Sequence, residues 1–271
     1  MTIHELLGLP PALAKAVIGM IHLAALPGSP RWSGGMGPVL EAALADARAL
    51  AAGGADAVIV ENHGDVPLES GRVDPGTVAA MAVTVAEIRR AIPLPVGVNV
   101  LRSDARSALA IAVATGAAFV RVNVHVGAMV TDQGLLQYTA AESLRYRRLL
   151  GADIRIAADV QAKHGVPLGA VPIEQEARDA VARGLADALV VSGVATGEPT
   201  SGEDLKRIRS AVPAVPLLVG SGATAETAAD LLSVADGLIV GTAIKHGGVI
   251  GHPVDAERVR RLVAAARGAT R

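Results

Sequence analysis

Eight short runs of β-branched and aliphatic residues recur along the chain, and a segment with a helical pattern follows each of them. Gly, Pro, Asn or Asp turn signals separate the runs from the helical segments. The runs are AVIGMIHL (16–23), DAVIVEN (56–62), PVGVNV (95–100), FVRVNVH (119–125), RIAADVQ (155–161), DALVVSG (187–193), PLLVGSG (216–222) and DGLIVGT (236–242). Strict alternation with eight strands favours an α/β fold of the (β/α)8 TIM-barrel type over a doubly wound open sheet.

The helical segments carry their own boundary signals. Asp74 before Pro75 predicts an N-cap followed by proline at the first helical position. Thr200 to Glu203, TSGE, predicts a capping box. No linker or break in composition interrupts the 271 residues, so we expect one barrel domain over residues 1–271.

Composition excludes several classes of partner. The 25 basic and 26 acidic residues nearly balance, without a basic stripe among aromatics, which argues against nucleic acid. The chain has no cysteine, so it has no disulfide or thiolate chemistry, and it fits a cytoplasmic location. The first apolar run contains His22 and predicts a strand, with no membrane insertion. Because 51% of the residues are hydrophobic, we also expect a homo-oligomer, with a dimer favoured.

The stretch FVRVNVHVGAMVTDQG (119–134) places Arg121, Asn123 and His125 between valines. Alternate residues of a barrel strand face the lumen and the surrounding helices. We therefore expect these three side chains to face inward while the valines pack outward.

Polar residues end other predicted strands as well. They are His22, Glu61, Asn62, Asn99, Asp159, Gln161, Lys163 and His164. Because TIM-barrel sites lie at the C-terminal ends of the strands, the set predicts a ligand site. Single members have a structural alternative: Arg121 could pair with Asp159, and Asn99 or Asn123 could belong to a buried hydrogen-bonding layer.

Glycine and hydroxyl residues end the last three predicted strands. They are Ser192-Gly193, Gly220-Ser221-Gly222 and Gly241-Thr242. Glycine lets the backbone approach an anion, while amides, hydroxyls and a helix N-terminus attract it. The last two strand ends match the usual phosphate position of such barrels, so the pattern predicts a phosphorylated ligand.

Acid-base groups at the strand ends suggest catalysis. Glu61, Asp159, His22, His125 and Lys163 are the catalytic candidates, for isomerase, epimerase or lyase chemistry beside a carbonyl. Lys163 could instead form a Schiff base or have a surface role. A divalent metal is possible, but no ligand spacing favours one. The other positions are assigned to substrate binding: Asn62, Asn99, Arg121, Asn123, Gln161, His164, Ser192, Gly193, Gly220, Ser221, Gly222, Gly241 and Thr242.

An ordered set of motifs resembles the BtpA/SgcQ family over nearly the whole chain. It includes VIGMIHLAALPGSPRW (17–32), DAVIVENHGDVP (56–67), VGVNVLRSDA (96–105), FVRVNVHVGAMVTDQG (119–134), ADVQAKHGVPL (158–168), LVVSGVATG (189–197), LVGSGAT (218–224) and GLIVGTAIKHGG (237–248). The resemblance implies a phosphate-binding barrel similar to the ribulose-phosphate-binding barrels. Gln161 stands where the family pattern AD-V-H-x-K-H has histidine, which argues against a metal ligand there.

The resemblance leaves two functions open. Members are linked either to photosystem I biogenesis or to sugar-uptake and sugar-phosphate genes. The chain is therefore either an enzyme for a small phosphorylated metabolite or a noncatalytic assembly factor that keeps an ancestral pocket. Charged residues inside a barrel favour the enzyme, because their burial is costly without a use.

Overall fold

Eight parallel strands close into a barrel in the computed structural model, which describes residues 1–11, 13–193 and 197–268. Positions 194–196, part of the quoted segment LVVSGVATG, lie outside the described residues. The strands are β1 Ala16–His22, β2 Ala57–Glu61, β3 Val96–Asn99, β4 Phe119–Val122, β5 Ala128–Thr131, β6 Gly134–Gln137, β7 Arg155–Val160, β8 Gly165–Pro167, β9 Ala188–Val191, β10 Leu217–Val219 and β11 Gly237–Val240. The barrel order is β1-β11-β10-β9-β7-β4-β3-β2, which confirms the eight predicted runs.

Helices follow the barrel strands as the alternation predicts, and one further helix, α1, precedes β1. They are α1 Ile3–Leu7, α2 Met36–Ala52, α3 Pro75–Ala91, α4 Ala105–Thr115, α5 Ala140–Leu149, α6 Ile173–Ala182, α7 Gly202–Ala211, α8 Ala228–Leu232 and α9 Ala256–Gly268. Asp74 caps α3 as expected, accepting from the N–H of Gly76. None of the helices among the described residues is long and apolar enough to span a bilayer.

The predicted capping box at Thr200 is wrong by one residue. Ser201 is the N-cap of α7, and its hydroxyl accepts from the N–H of Asp204. The Thr200 hydroxyl instead donates to the carbonyls of Val191 and Ser221, at 3.4 and 3.1 Å. Thr200 therefore ties the loop before α7 to the ends of β9 and β10.

The barrel strands separate two apolar layers. Outward-facing residues such as Val58, Val120 and Leu238 pack with the helices in the larger core cluster. Inward-facing residues such as Ile18 and Phe119 pack with one another and with α1, which closes the N-terminal end of the barrel. The C-terminal end of the lumen is the end where polar residues are found.

The single phenylalanine of the chain fills the lumen opposite a glycine. A Cβ atom at Gly97 of β3 would lie 2.4 Å from Cζ of Phe119. Any side chain at position 97 would displace the ring, so glycine is required there. Phe119 thereby forms part of the apolar floor beneath the polar layer.

A small antiparallel sheet, ordered β6-β5-β8, was not predicted from the sequence. Its strands come from the segments that follow β4 and β7, so it lies at the same end of the barrel as the polar residues. Met129 and Leu136 are buried on one face, whereas Val130 and Leu135 are exposed on the other. The expected homo-oligomer stays a prediction.

Candidate functional site

Each barrel strand places one inward position at its C-terminal end. Residues one place earlier or later on the strands, such as Val60, Val122 and Val160, belong to the outer core. The alternation therefore assembles one ring of positions. In chain order it comprises His22, Glu61, Asn99, Arg121, Asp159, Ser192, Gly220 and Gly241.

An ion pair joins two neighbouring positions of this ring, on β4 and β7. Arg121 Nε and Nη2 donate to the two carboxylate oxygens of Asp159 at 2.8 and 3.0 Å, and both side chains are buried. Asn123 Nδ2 donates to Asp159 at 2.9 Å, and Arg121 Nη2 also donates to the Ser192 hydroxyl at 3.3 Å. Burial alone would lower the pKa of Arg121, but the charge of Asp159 and the hydrogen bonds to it leave this pKa above its ordinary value. Both oxygens of Asp159 are thus already occupied, and the structural alternative fits this pair.

His125 does not face the lumen, which corrects the sequence expectation. Strand β4 ends at Val122, so the two-residue alternation does not extend to position 125. The His125 ring is fully buried and its Nε2 lies 2.7 Å from the carbonyl oxygen of Gly184, in the segment after α6. Burial lowers the pKa of His125. This position gives His125 a packing role outside the cavity.

Asn62 and Gln161 are also directed away from the ring. Asn62 Oδ1 accepts from the N–H of Leu101 at 2.7 Å, and its Nδ2 donates to Asp65 at 3.0 Å. Gln161 has a positive φ of 48°, and its Nε2 donates to the carbonyl of Val171. Both side chains thus join neighbouring loops, in place of the substrate contacts expected for them.

A cavity of about 370 Å³ opens beside the ends of β10 and β11. Its wall includes all five glycine and hydroxyl positions predicted to bind phosphate: Gly220, Ser221, Gly222, Gly241 and Thr242. A Cβ atom at Gly241 would lie 2.7 Å from His22 Cε1, and one at Gly220 would lie 2.5 Å from the Ser192 hydroxyl. The two glycines therefore leave room for the ring side chains.

Residues after the ends of two adjacent strands, β10 and β11, bring backbone N–H groups to the wall of this cavity. Among the described residues, no acceptor is found for the N–H groups of Gly222, Ala223, Thr242 and Ala243. Amides directed at one cavity from two loops form a favourable anion site. Gly222 has a second role: its φ is 71° and an added Cβ would lie 2.2 Å from the Glu198 carbonyl oxygen. A bulky residue at 222 would therefore disturb the loop as well as the ligand.

The hydroxyl and glycine positions at the end of β9 support the loops. The Ser221 hydroxyl accepts from the N–H of Gly193 at 2.9 Å and donates to the carbonyl of Glu198 at 3.3 Å. The Ser192 hydroxyl accepts from Arg121. Ser192 and Gly193 therefore brace the cavity from outside its wall.

Two arginines of α9 line the same cavity, and sequence reasoning missed them. Arg258 Nε donates to the carbonyl of Ala243 at 2.7 Å, and Arg261 is exposed at the rim. Their i, i+3 spacing on a helix that starts after the last barrel strand was the available signal. Glu226 also lines the rim, so the entrance carries both signs of charge.

Glu61, His22 and Lys163 bring titratable side chains to the wall of this cavity. Glu61 is buried, and none of the described groups donates a hydrogen bond to its carboxylate. His22 Nε2 lies 3.8 Å from Glu61 Oε1, and burial together with nearby His63 holds the pKa of His22 well below its ordinary value. Burial and the positive charge of Arg121 lower the pKa of Lys163. The site thus combines a carboxylate to which no described group donates a hydrogen bond, a neutral imidazole and an amine whose pKa is lowered.

A second cavity, of about 430 Å³, shares Glu61 and Lys163 with the first. Asn123 and the exposed His164 line it, and so do two residues that sequence reasoning missed, His63 and Arg102. Burial lowers the pKa values of both histidines. The two cavities therefore meet at Glu61 and Lys163.

Several buried polar atoms of the site have no hydrogen-bond partner within the described chain. They are His22 Nδ1, Asn99 Nδ2 and Oδ1, Arg102 Nε and Asn123 Oδ1. Buried polar atoms are normally satisfied, and exceptions concentrate where a ligand or water binds. Asn99 lies in the ring between Glu61 and Arg121, so its amide faces the same space. No group of three metal-binding side chains is found in the described ranges.

Stability should fall on acidification because His22 remains neutral in the folded protein. A histidine with a lowered folded pKa binds fewer protons than in the unfolded chain, so stability rises with pH up to about 6.5. We expect wild type to lose more stability than His22→Gln between about pH 7.5 and 5.5. Urea unfolding at each pH measures the free energy of unfolding of both proteins. An identical dependence of this free energy on pH for the two proteins would contradict the prediction.

Comparisons with known proteins identify relatives along nearly the whole chain. A model described as BtpA family matches residues 13–268. A photosystem I biogenesis protein BtpA of Synechocystis is 47% identical over 249 residues, which cover 92% of this chain and 87% of the relative. A putative sgc region protein SgcQ of Escherichia coli is 36% identical, covering 92% and 93% of the two chains.

A solved structure agrees in fold at low sequence identity. The thiamine phosphate pyrophosphorylase of Pyrococcus furiosus superposes with a TM-score of 0.59 and 16% identity, covering 94% of this chain and 96% of that one. At this identity the similarity concerns the fold alone. It supports the TIM-barrel assignment that the closed strand order gives independently.

Proposed function

The chain belongs to the BtpA family, and we propose that it is an enzyme acting on a small phosphorylated metabolite, a sugar or nucleoside phosphate. One observation carries the proposal. Backbone N–H groups at the ends of β10 and β11, which have no acceptor among the described residues, share a cavity with the Glu61 carboxylate and the Lys163 amine. A phosphate bound to the N–H groups would hold the rest of the molecule against the two reactive side chains.

Proton transfer beside a carbonyl is the reaction that these groups suit. Glu61 takes a proton from the carbon next to the carbonyl, since none of the described groups donates a hydrogen bond to its carboxylate. Lys163, in its charged form, stabilises the oxyanion that develops on the carbonyl oxygen. Neutral His22 can exchange a proton with a substrate hydroxyl. The outcome is an isomerase, an epimerase or, with carbon-carbon cleavage, a lyase.

Schiff-base formation by Lys163 is a variant of the same proposal. Burial and Arg121 lower the pKa of this amine, which increases its neutral, nucleophilic fraction at neutral pH. Among the described groups, none accepts a hydrogen bond from its Nζ. Borohydride treatment with a bound carbonyl compound separates the two variants, because only an imine is trapped as a stable mass increase on Lys163.

The arginines at the rim give the phosphate proposal a matched test. Arg261 lines the cavity, whereas its neighbour Arg260 is exposed and pairs with Glu257 at 2.8 Å. We expect Arg261→Gln to weaken binding of a phosphorylated ligand about fivefold to thirtyfold, since a hydrogen bond to a charged group contributes roughly 1–2 kcal/mol. Arg260→Gln should leave the affinity unchanged.

Thermal-shift screening supplies the ligand for this test. Phosphorylated sugars and nucleotides are compared with their dephosphorylated counterparts, because a ligand that binds only the folded state raises the melting temperature. The phosphorylated member of at least one pair should give the larger shift. Equal shifts within every pair, or equal effects of the two arginine substitutions, would count against the phosphate site.

A noncatalytic assembly role is the second candidate. It is favoured by the 47% identity to a protein named for photosystem I biogenesis. In that case the pocket would be retained without turnover. A stable complex with a membrane protein that forms equally well with wild type and Glu61→Gln would support this role, because assembly does not need the carboxylate.

A further inference from the structure

The second cavity contains a buried guanidinium group that forms no ion pair with any described carboxylate. Arg102 is only 4% exposed and lines this cavity. Its Nη2 donates to the carbonyl of Lys163, while its Nε has no partner, and none of the described acidic side chains forms an ion pair with it. Asp159, Glu61 and Asp132 attract Arg102 only from beyond ion-pair distance. A buried charge without a direct partner is costly, so an anion from outside the chain would stabilise Arg102.

The other charged groups that line this cavity do not take the place of an anion beside Arg102. Asp132 lines the cavity at the β5–β6 turn, but its Oδ2 accepts from Gln133 and it makes no ion pair with Arg102. His63 and His164 have lowered pKa values because of burial, so they add little positive charge near neutral pH. Arg102 and Lys163 are consequently the cations that face the cavity among its described lining residues.

Arg102 also lies on the far side of the reactive pair from the phosphate position. Glu61 and Lys163 line both cavities, whereas Arg102 lines only the second and Thr242 only the first. A ligand whose phosphate lies near Thr242 and whose chain passes Glu61 and Lys163 would end close to Arg102. Asn123 Oδ1, an unpartnered acceptor in the same cavity, is suited to a hydroxyl along that chain.

We propose that the substrate carries a carboxylate at the end opposite its phosphate, and that Arg102 binds this carboxylate. The inference rests on the proposed function, because the phosphate position sets the direction of the ligand. A guanidinium group offers parallel N–H donors that match the two oxygens of a carboxylate. The substrate class then narrows from phosphorylated sugars in general to phosphorylated sugar acids, with the reacting carbons between two anionic ends.

Two pairs of compounds test the carboxylate without any mutation. 6-Phosphogluconate and sorbitol 6-phosphate have six carbons and one phosphate, and they differ at the far end, where one has a carboxylate and the other an alcohol. 3-Phosphoglycerate and glycerol 3-phosphate form the equivalent three-carbon pair. Isothermal titration of the wild-type protein should show the acid binding about tenfold or more tightly than the alcohol in at least one pair.

Substitution of Arg102 then assigns the preference to this residue. Arg102→Gln should bring the ratio of acid to alcohol affinity close to one, while the alcohol keeps its affinity within about threefold. An equal loss of both affinities would mean that Arg102 only holds the segment bearing Lys163, and would overturn the inference. If Arg102→Gln does not fold, the wild-type ratio still decides whether the substrate carries a carboxylate, and Arg102→Lys, which keeps the charge without the paired N–H donors, should lower that ratio if Arg102 binds it.

Two further outcomes distinguish a failure of the carboxylate site at Arg102 from a failure of the phosphate site on which it rests. Equal binding of acid and alcohol in both pairs would overturn the carboxylate site and leave the phosphate site standing. If neither these compounds nor inorganic phosphate bind, the phosphate site fails and the carboxylate inference fails with it.

Discussion

Asp159→Asn should lower the free energy of unfolding by about 3–5 kcal/mol, because it leaves the buried Arg121 charge without its partner. Asp159 accepts from Arg121 through both oxygens and from Asn123 through one of them. The substitution removes the charge while keeping the shape of the side chain. Urea denaturation of the variant and wild type at pH 7 measures the difference.

Asp153→Asn is the matched control for this substitution. Asp153 pairs with Arg155 at the same distance of 2.8 Å, but its side chain is 79% exposed. Exposed pairs contribute about 0–1 kcal/mol, so this variant should unfold close to wild type. A near-neutral Asp159→Asn variant with lost ligand binding would contradict our assignment and restore an active-site role for Asp159.

Substitution of His125, like that of Asp159, should destabilise the protein. Its ring is buried and lies outside both cavities, in contact with the carbonyl of Gly184. His125→Gln should therefore lower the melting temperature and leave ligand-induced shifts intact, which is the opposite of what its position in the sequence suggests.

Glu61→Gln should reduce turnover about 10²- to 10⁴-fold, the usual contribution of a general base. The amide keeps the volume of the side chain but cannot take a proton. Because none of the described donors binds the Glu61 carboxylate, its loss should leave the melting temperature unchanged or raise it slightly. Turnover and affinity are measured with the phosphorylated compound that gives the largest thermal shift.

Glu61→Gln should change turnover and ligand affinity to different extents, and this difference identifies a catalytic role. Ligand affinity should stay within about threefold of wild type, because the phosphate contacts are on other strands. Glu61→Asp, which retains a carboxylate on a shorter stem, should recover part of the rate. Full activity of Glu61→Gln would remove Glu61 from the mechanism.

The barrel could be predicted because its signal is local and repeated. Each β-branched run specifies a strand, and eight of them in strict alternation with helices leave few other topologies. The inward positions of the ring can be predicted from the alternation wherever the residue still lies within its strand, as Glu61 does in β2 and Asn99 in β3. For those positions, alternation alone determines which residues face the lumen.

The remaining site residues depend on where regular structure ends. His125 and Gln161 lie beyond the last residues of β4 and β7, so the strand period no longer determines their direction. Arg258 and Arg261 come from α9, and only the closure of the barrel brings that helix to β10 and β11. The small sheet pairs β5 with β8, two segments more than 30 residues apart, as the register Val130 to Val166 shows. No local pattern in the sequence encodes that pairing.

A crystal structure of the protein with the best phosphorylated ligand tests the central claim most directly. We expect phosphate oxygens within hydrogen-bond distance of the N–H groups of Gly222 and Thr242, with the carbonyl carbon between Glu61 and Lys163. Hydrogen bonds of about 2.7–3.2 Å to these amides would be the positive result. A phosphate bound elsewhere on the molecule, with this cavity occupied only by solvent, would contradict the account.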